Sequence, residues 1–253
     1  MSGISLALEA ASFGAAGSAL SWVTVSPTSG FWGPVHSRAP LGGPDRFALT
    51  FDDGPTREST SAILDLLGEL GVRAAFFVIG VNARRCPDLL ARMHAEGHII
   101  ANHSLDHAHL GMFGGPRYWD RQLRETDRII EEATGARPAF FRPPMGFRTC
   151  YVMGAAAGQG HEVITWSRRA MDGVRTTTSR ILDRLVPHAR AGDVLLLHDG
   201  VEPRGWGRDP AATVAAIKPL ILQLRNRGLE PTRLDELLRL RAYAAGATGA
   251  AAR

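Results

Sequence analysis

Phe47-Ala48-Leu49-Thr50-Phe51-Asp52-Asp53-Gly54-Pro55 is the stretch whose reading decides the fold. A short, largely apolar run ends in two adjacent carboxylates and a Gly-Pro turn. Side chains alternate along a strand, so strand neighbours point apart. At a strand end, where the backbone bends, both carboxylates can face one pocket with different tasks. One can bind a metal while the other handles a proton. Taken alone, Asp-Asp-Gly-Pro reads equally well as a solvated turn, because Asp, Gly and Pro are the usual turn residues.

Outward from that stretch, short β-type runs alternate with helical patterns. The expected strands are Phe47–Phe51, Ala74–Ile79, His98–Ala101, Ala139–Phe141, Glu162–Trp166, Val194–Leu197 and Leu229–Thr232. The expected helices are Ser61–Leu70, Pro87–Glu96, Tyr118–Thr134, Thr149–Ala157, Thr178–Ala189 and Ala211–Arg227. Gly71, Gly97, Gly135 and Gly228 each follow a helical run, where a left-handed cap is expected, and Pro87 suits a first helical turn. Such alternation implies a parallel sheet with helices packed outside. With no dinucleotide glycine fingerprint, it favours a distorted parallel (β/α) barrel of seven or eight strands. The catalytic domain is expected over residues 45–242. Residues 1–44 are expected as an N-terminal extension, loosely packed or a weak anchor, and 243–253 as a flexible tail.

The composition excludes several classes. With 253 residues, 45% hydrophobic and 21% charged, the chain suits one globular domain. Its formal charge is +4 and Lys218 is its only lysine. The arginines form doublets or share helices with acids, so no basic stripe for nucleic acid is present. Cys86 and Cys150 are too few for a disulfide framework or a cysteine zinc site, and two free thiols are the expectation. Residues 1–37 carry one full charge, Glu9, and no basic start for a signal peptide. Their apolar stretch falls short of the ~20 residues a membrane helix needs. Neither membrane association nor an oligomer is expected.

Polar residues gather just beyond the expected strand ends. Asp52 and Asp53 follow the first strand, His103 the third, Arg142 the fourth, Asp172 the fifth and His198 the sixth. In a parallel barrel those ends meet at one face, where active sites sit. His103 and His107 stand at i and i+4, and on one helical turn they point the same way. His109 falls out of phase and reads as a bystander. Two histidines and one carboxylate describe a catalytic metal with open positions. The same set also describes non-haem iron oxygenases, so the metal stays open on ligand identity.

The ordered series Thr50-Phe51-Asp52-Asp53-Gly54-Pro55, His103-Ser104-Leu105-Asp106-His107, Arg142-Pro143-Pro144-Met145-Gly146, Trp166 with Asp172, and Leu195-Leu196-Leu197-His198-Asp199 closely resembles the polysaccharide deacetylases, carbohydrate esterase family 4. That family includes chitin, peptidoglycan and nodulation-type chitooligosaccharide deacetylases. The resemblance covers about residues 45 to 240. It implies a distorted (β/α) barrel and removal of N-acetyl groups from amino sugars of a glycan. By the same resemblance Asp52 is the general base. Asp53, His103 and His107 would hold a divalent metal, zinc in the usual case and cobalt or another ion in others. Arg142 would orient the base, Asp172 would hold the catalytic histidine, and His198 would be the general acid. Pro144, Met145, Trp166 and Leu196 would line the substrate pocket, with the Met145 N–H at the oxyanion. An O-acetyl esterase, another amide hydrolase or a non-catalytic glycan-binding relative are the alternatives on this scaffold. The family implies a cell-envelope setting, while the lack of a clear signal peptide leaves a cytoplasmic one open.

Three positions depart from the family pattern. Met145 replaces an aromatic residue, Gly173 replaces a tryptophan, and Arg168-Arg169 stand where an acid is common. A wider, more positive groove suited to an acidic or bulky glycan is the expectation from these changes.

Overall fold

A computed structural model of the chain describes residues 20–40, 42–203 and 209–245. Eight strands alternate with helices: β1 (Arg46–Asp52), β2 (Ala75–Val78), β3 (Ile99–Asn102), β4 (Phe140–Phe141), β5 (Glu162–Val163), β6 (Arg168–Arg169), β7 (Val194–His198) and β8 (Glu230–Pro231). All pairings between them are parallel, in the order β5-β4-β3-β2-β1-β7-β6, with β8 beside the start of β1. The sheet curls into a barrel left open between β5 and β6, as a distorted (β/α) barrel should.

Alternation along β1 builds two cores at once. Phe47, Leu49 and Phe51 point outward and pack with Ile63, Leu64 and Leu67 of the Arg57–Glu69 helix and with Ile217 and Leu220 of the Ala211–Asn226 helix. Ala48 points inward among Ala75, Phe77, Ile99, Phe140 and Val194. Burying each such aromatic side chain contributes about 1.5–3 kcal/mol. A third cluster, around Trp119, Phe141 and Val152, seats the Pro116–Thr134 and Cys150–Gly158 helices against β4 and β5. The inward row of β1 continues from Ala48 to Thr50 and Asp52, so the barrel interior turns polar at the C-terminal end of the strands.

The expected helix caps are present: Gly71, Gly97, Gly135 and Gly228 all adopt positive φ. Five elements among the described residues lay outside the expectation: β6, the Gly80–Arg85 and Leu234–Leu238 helices, and the short 3-10 turns His109–Phe113 and Pro144–Gly146. Loose packing of residues 1–44 also needs correction for their described part. Residues 36–39 run along the open seam, with His36 N–H donating to Val163 O (2.9 Å), His36 O accepting from Thr165 N–H (2.9 Å) and Ala39 N–H donating to Gly192 O (2.9 Å). Arg38 pairs with Asp193, and fully buried Arg148 donates to Ser26 O. The ties of residues 36 and 39 are made by backbone groups, and those of Arg38 and Arg148 by single polar side chains, neither of which leaves a hydrophobic period in the sequence. Residues 1–19 and the tail from 246 lie outside the described residues. Cys86 is buried, Cys150 is exposed, and both are free. No helix among the described residues is long and apolar enough to cross a membrane.

Candidate metal and acid–base site

The C-terminal ends of β1, β3, β4 and β7 bring Asp52, Asp53, His103, Arg142 and His198 together. Asp52 and His198 are register partners on adjacent parallel strands, so their side chains share a side. Asp53 would point away on a straight strand. Its backbone adopts φ 74° instead, and that left-handed turn swings the carboxylate into the same pocket. Gly54 follows because a Cβ there would overlap the Asp199 carboxylate.

Asp53 Oδ1 lies 3.5 Å from His103 Nε2 and 3.5 Å from His107 Nε2. These spacings leave room between the atoms. His103 Nδ1 lies 2.7 Å from Arg142 O. A carbonyl oxygen only accepts, so Nδ1 carries the hydrogen and the Nε2 lone pair faces Asp53. On the far side of His107, Nδ1 faces Glu202 Oε1 at 3.6 Å, which favours the same tautomer. Three buried lone-pair donors therefore converge, one anionic and two neutral. That donor set fits a divalent cation of the zinc type. In the alternative state with the imidazoles protonated, burial still raises the Asp53 carboxyl, but the His103 hydrogen bond and the charges of His198, His107 and His103 hold it well below the ordinary range.

The structure corrects one expectation here. His103 and His107 do not share a helical turn. Residues 103–108 form a loop in which Ser104 (φ 68°) and His107 (φ 49°) are left-handed. Each such non-glycine residue costs roughly 1–3 kcal/mol and persists only where the surroundings over-determine it. Buried side chains supply that constraint. Asn102 Oδ1 accepts from Ser104 N–H (2.8 Å), Ser104 Oγ accepts from His107 N–H (3.2 Å), and Gln122 Oε1 accepts from Leu105 N–H (2.8 Å). Asn102 is held in turn by Asp127 (2.7 Å), which also meets His161 (3.0 Å).

Arg142 is fully buried beneath the site. Its Nη1 donates to Asp52 Oδ1 (2.6 Å) and Thr50 Oγ1 (2.9 Å), and its Nη2 to Thr165 O (2.9 Å). Its guanidinium stacks 3.9 Å above the Phe77 ring. Burial pulls the Arg142 group below its ordinary value, against the attraction of Asp52. Because Arg142 occupies Oδ1, Asp52 Oδ2 is the atom left facing the histidines, 3.7 Å from His103 Nε2.

His198 Nδ1 lies 2.8 Å from Asp172 Oδ1. Asp172 Oδ2 accepts from His198 N–H (3.0 Å) and Thr213 Oγ1 (2.7 Å). Burial would raise the Asp172 carboxyl, but the His198 charge and these hydrogen bonds bring it below the ordinary range.

Asp52, Asp53, His103, His107 and His198 line a cleft of about 330 Å³ with Met145, Trp166, Arg169, Met171, Gly173, Val174, Leu196 and Glu202. Of the four expected pocket residues, Met145, Trp166 and Leu196 reach it, while Pro144 is buried behind the rim. The Arg168-Arg169 doublet divides. Arg169 faces the cleft, but Arg168 turns to Asp193 (3.5 Å), since strand neighbours point apart. A larger hollow of about 660 Å³ lies near Arg73, His98 and Thr232, at the opposite end of the strands. It gathers surface charges and no convergent set of metal-type donors, so the smaller cleft is the candidate site.

Sequence reasoning missed Glu202, Thr213 and Asn82. Glu202 also lies 2.5 Å from His109 Nε2, so His109 is tied to His107 through one carboxylate rather than standing by. Asn82 donates to Asp53 O (2.8 Å). None of the three sits in a motif; each is brought in by a separate loop or helix.

The family profile described as polysaccharide deacetylase matches residues 42–164. The chain is 38% identical to a chitooligosaccharide deacetylase of Sinorhizobium fredii, covering 76% of this chain and 90% of that protein. It is 32% identical to a peptidoglycan-N-acetylglucosamine deacetylase of Bacillus cereus, covering 76% and 87%. Among solved structures, the Bc1960 peptidoglycan N-acetylglucosamine deacetylase matches with a TM-score of 0.77 and 28% identity, over 83% of this chain and 95% of that one. With the metal-type donor set and an acid–base pair at the C-terminal face of a (β/α) barrel, the class is a carbohydrate-deacetylating hydrolase. The chain belongs to the polysaccharide deacetylase family.

Proposed function

We propose that this chain hydrolyses N-acetyl groups on amino sugars of a glycan polymer or oligomer, chitin-like or peptidoglycan-like. The observation that carries the reading is the division of labour between Asp52 and Asp53: adjacent residues, one committed to Arg142 and the other to two histidines. The names of the relatives support the substrate class.

Asp53, His103 and His107 would hold a divalent cation, zinc or cobalt among them. When bound, such an ion polarises a carbonyl and acidifies water. Asp52 accepts the proton of the attacking water through Oδ2, while Arg142 fixes the carboxylate by Oδ1. The Met145 N–H faces the developing oxyanion, where preorganised donors act most strongly. His198 gives its proton to the departing nitrogen, and the Asp172 carboxylate at Nδ1 favours the protonated ring that this step needs. Trp166 and Leu196 wall the acetyl group. A non-catalytic relative would lack Asp52 or His198. An iron oxygenase would leave Asp52, Arg142 and His198 without tasks.

The test is acetate release from N-acetylchitooligosaccharides, peptidoglycan and acetylxylan, without oxygen, after chelation and after add-back of zinc or cobalt. Release from the N-acetylated substrates, lost on chelation and restored by metal, is expected. Release from acetylxylan alone would make the chain an O-acetyl esterase. No release from any substrate with metal bound would sink the reading. Asp52→Asn should abolish turnover and keep the metal, whereas His103→Ala should lose the metal.

A further inference from the structure

The cleft holds one arginine whose charge is not spoken for. Arg142 is committed to Asp52 and Arg168 faces Asp193. Glu202 faces His107 and His109. Arg169 lines the cleft and has no ion-pair partner among the described residues. Its orientation follows from register. Arg169 pairs with Leu196 on β7, and both line the cleft. The surrounding rim is apolar or bare: Met145, Met171 and Val174 are 39%, 41% and 64% exposed, and Gly173 has no side chain. Among the described lining residues, the carboxylates Asp52, Asp53 and Glu202 face Arg142 or the histidines. A planar fork of N–H donors matches a carboxylate with two parallel hydrogen bonds.

We propose that Arg169 selects N-acetylated glycans that carry a carboxylate on or beside the sugar being deacetylated. The inference rests on the deacetylase reading of this cleft. It concerns the group that recognises the substrate's charge, apart from the groups that perform hydrolysis. A neutral glycan gains nothing from Arg169. An anionic one gains a charge-assisted pair, which at a half-open cleft is worth about tenfold in kcat/KM. The attraction weakens with salt, because the Debye length is about 8 Å at physiological ionic strength.

The experiment compares the metal-loaded full chain with Arg169→Met and Arg169→Lys. The probes are N-acetylchitotetraose and three peptidoglycan tetrasaccharides. One carries free lactyl carboxylates and no peptide. In the second those carboxylates are amidated. In the third they bear stem peptides with free carboxylates. The wild type should prefer a free-carboxylate form over the amidated one, and salt should erode that preference. Arg169→Met should lower the ratio of kcat/KM, anionic to neutral, about tenfold through KM, and Arg169→Lys should restore part of it. The tetrasaccharide that shows the preference identifies the lactyl group or the peptide as the source of the charge. A ratio unmoved by Arg169→Met, while acetate is still released, overturns the inference and leaves the deacetylase reading standing. No release from any probe by the wild type overturns both.

Discussion

Asp172→Asn isolates what one carboxylate does for the acid of this site. Three donors point at Asp172: His198 Nδ1 at 2.8 Å, His198 N–H at 3.0 Å and Thr213 Oγ1 at 2.7 Å. Two of them meet Oδ2, so the single oxygen of asparagine will take that place. The amide NH2 then faces His198 Nδ1. Two donors cannot share a hydrogen bond, so Nδ1 must become an acceptor and the ring is trapped neutral with its hydrogen on Nε2. A neutral imidazole is a poor acid for a departing amine. The lost charge-assisted hydrogen bond is worth about 1.5–3 kcal/mol, or roughly 10- to 150-fold in rate. With the trapped tautomer added, kcat should fall about 10²–10³-fold, within the range general acid catalysis supplies. KM should move little, since Asp172 is buried behind His198. The assay is steady-state acetate release across pH, with metal content and circular dichroism measured on the same samples. The alkaline limb of the profile should move to lower pH, because the charged ring has lost its anion. Wild-type kcat and an unmoved alkaline limb in a folded, metal-loaded variant would refute the acid role of His198.

Glu202→Gln removes the charge facing His107 and should weaken metal affinity about tenfold, as carboxylate partners of ligating histidines do. Competition with a chromophoric chelator measures it, and wild-type affinity would show that His107 is oriented without Glu202. His98 offers a pH prediction far from the cleft. Burial, with help from Arg73 and Arg233 and against Glu96, pulls its pKa down to about 4. Its Nδ1 accepts from Ala74 N–H at 3.0 Å, which requires the unprotonated atom. The unfolded chain therefore binds the extra proton first, and stability is lost as pH falls from about 6.5 towards 4, by about 3 kcal/mol in full. His98→Asn keeps an acceptor without titrating, so thermal melts of this variant should lose less stability over that window. An identical acid slope would mean that other groups carry it.

Much of this site was legible because its chemistry sits on strand ends. Asp52, His103, Arg142 and His198 each follow an apolar run that must be buried, so their place at one barrel face follows from the strands alone. Asp53 was legible by type but not by direction, since only its left-handed φ brings it beside Asp52. The same limit applied to His107. A spacing of four suggested a helical turn, but the loop is shaped by Asn102 and Gln122, whose hydrogen bonds have no sequence period. β6 was hidden because two residues, Arg168 and Arg169, carry no strand pattern. The stitched segment at 36–39 was hidden because backbone pairing at a seam leaves no mark on side chains. Glu202 and Thr213 were invisible for a third reason: they enter the site from loops and helices distant in sequence.

Five of the six non-glycine residues with positive φ among the described residues, namely Asp53, Ser104, His107, Met145 and Met171, stand at this cleft or its loops. They divide the site in two. Asp53, Ser104 and His107 are buried, and Asn82, Asn102 and Gln122 hold their loops from beneath. Met145 and Met171 lie on the exposed rim beside Gly173 and Arg169. The buried half is over-determined by hydrogen bonds from beneath, so the placement of its donor atoms is set before substrate arrives. The rim half has apolar side chains and Arg169, which has no ion-pair partner among the described residues, so its residues can change without disturbing the donors below. Of the departures from the family pattern, Met145, Gly173 and Arg169 fall on the rim, while Arg168 turns to Asp193. If Arg169 does select charged glycans, the division would let the chain keep the family's chemistry intact while a few exposed side chains reset its choice of glycan.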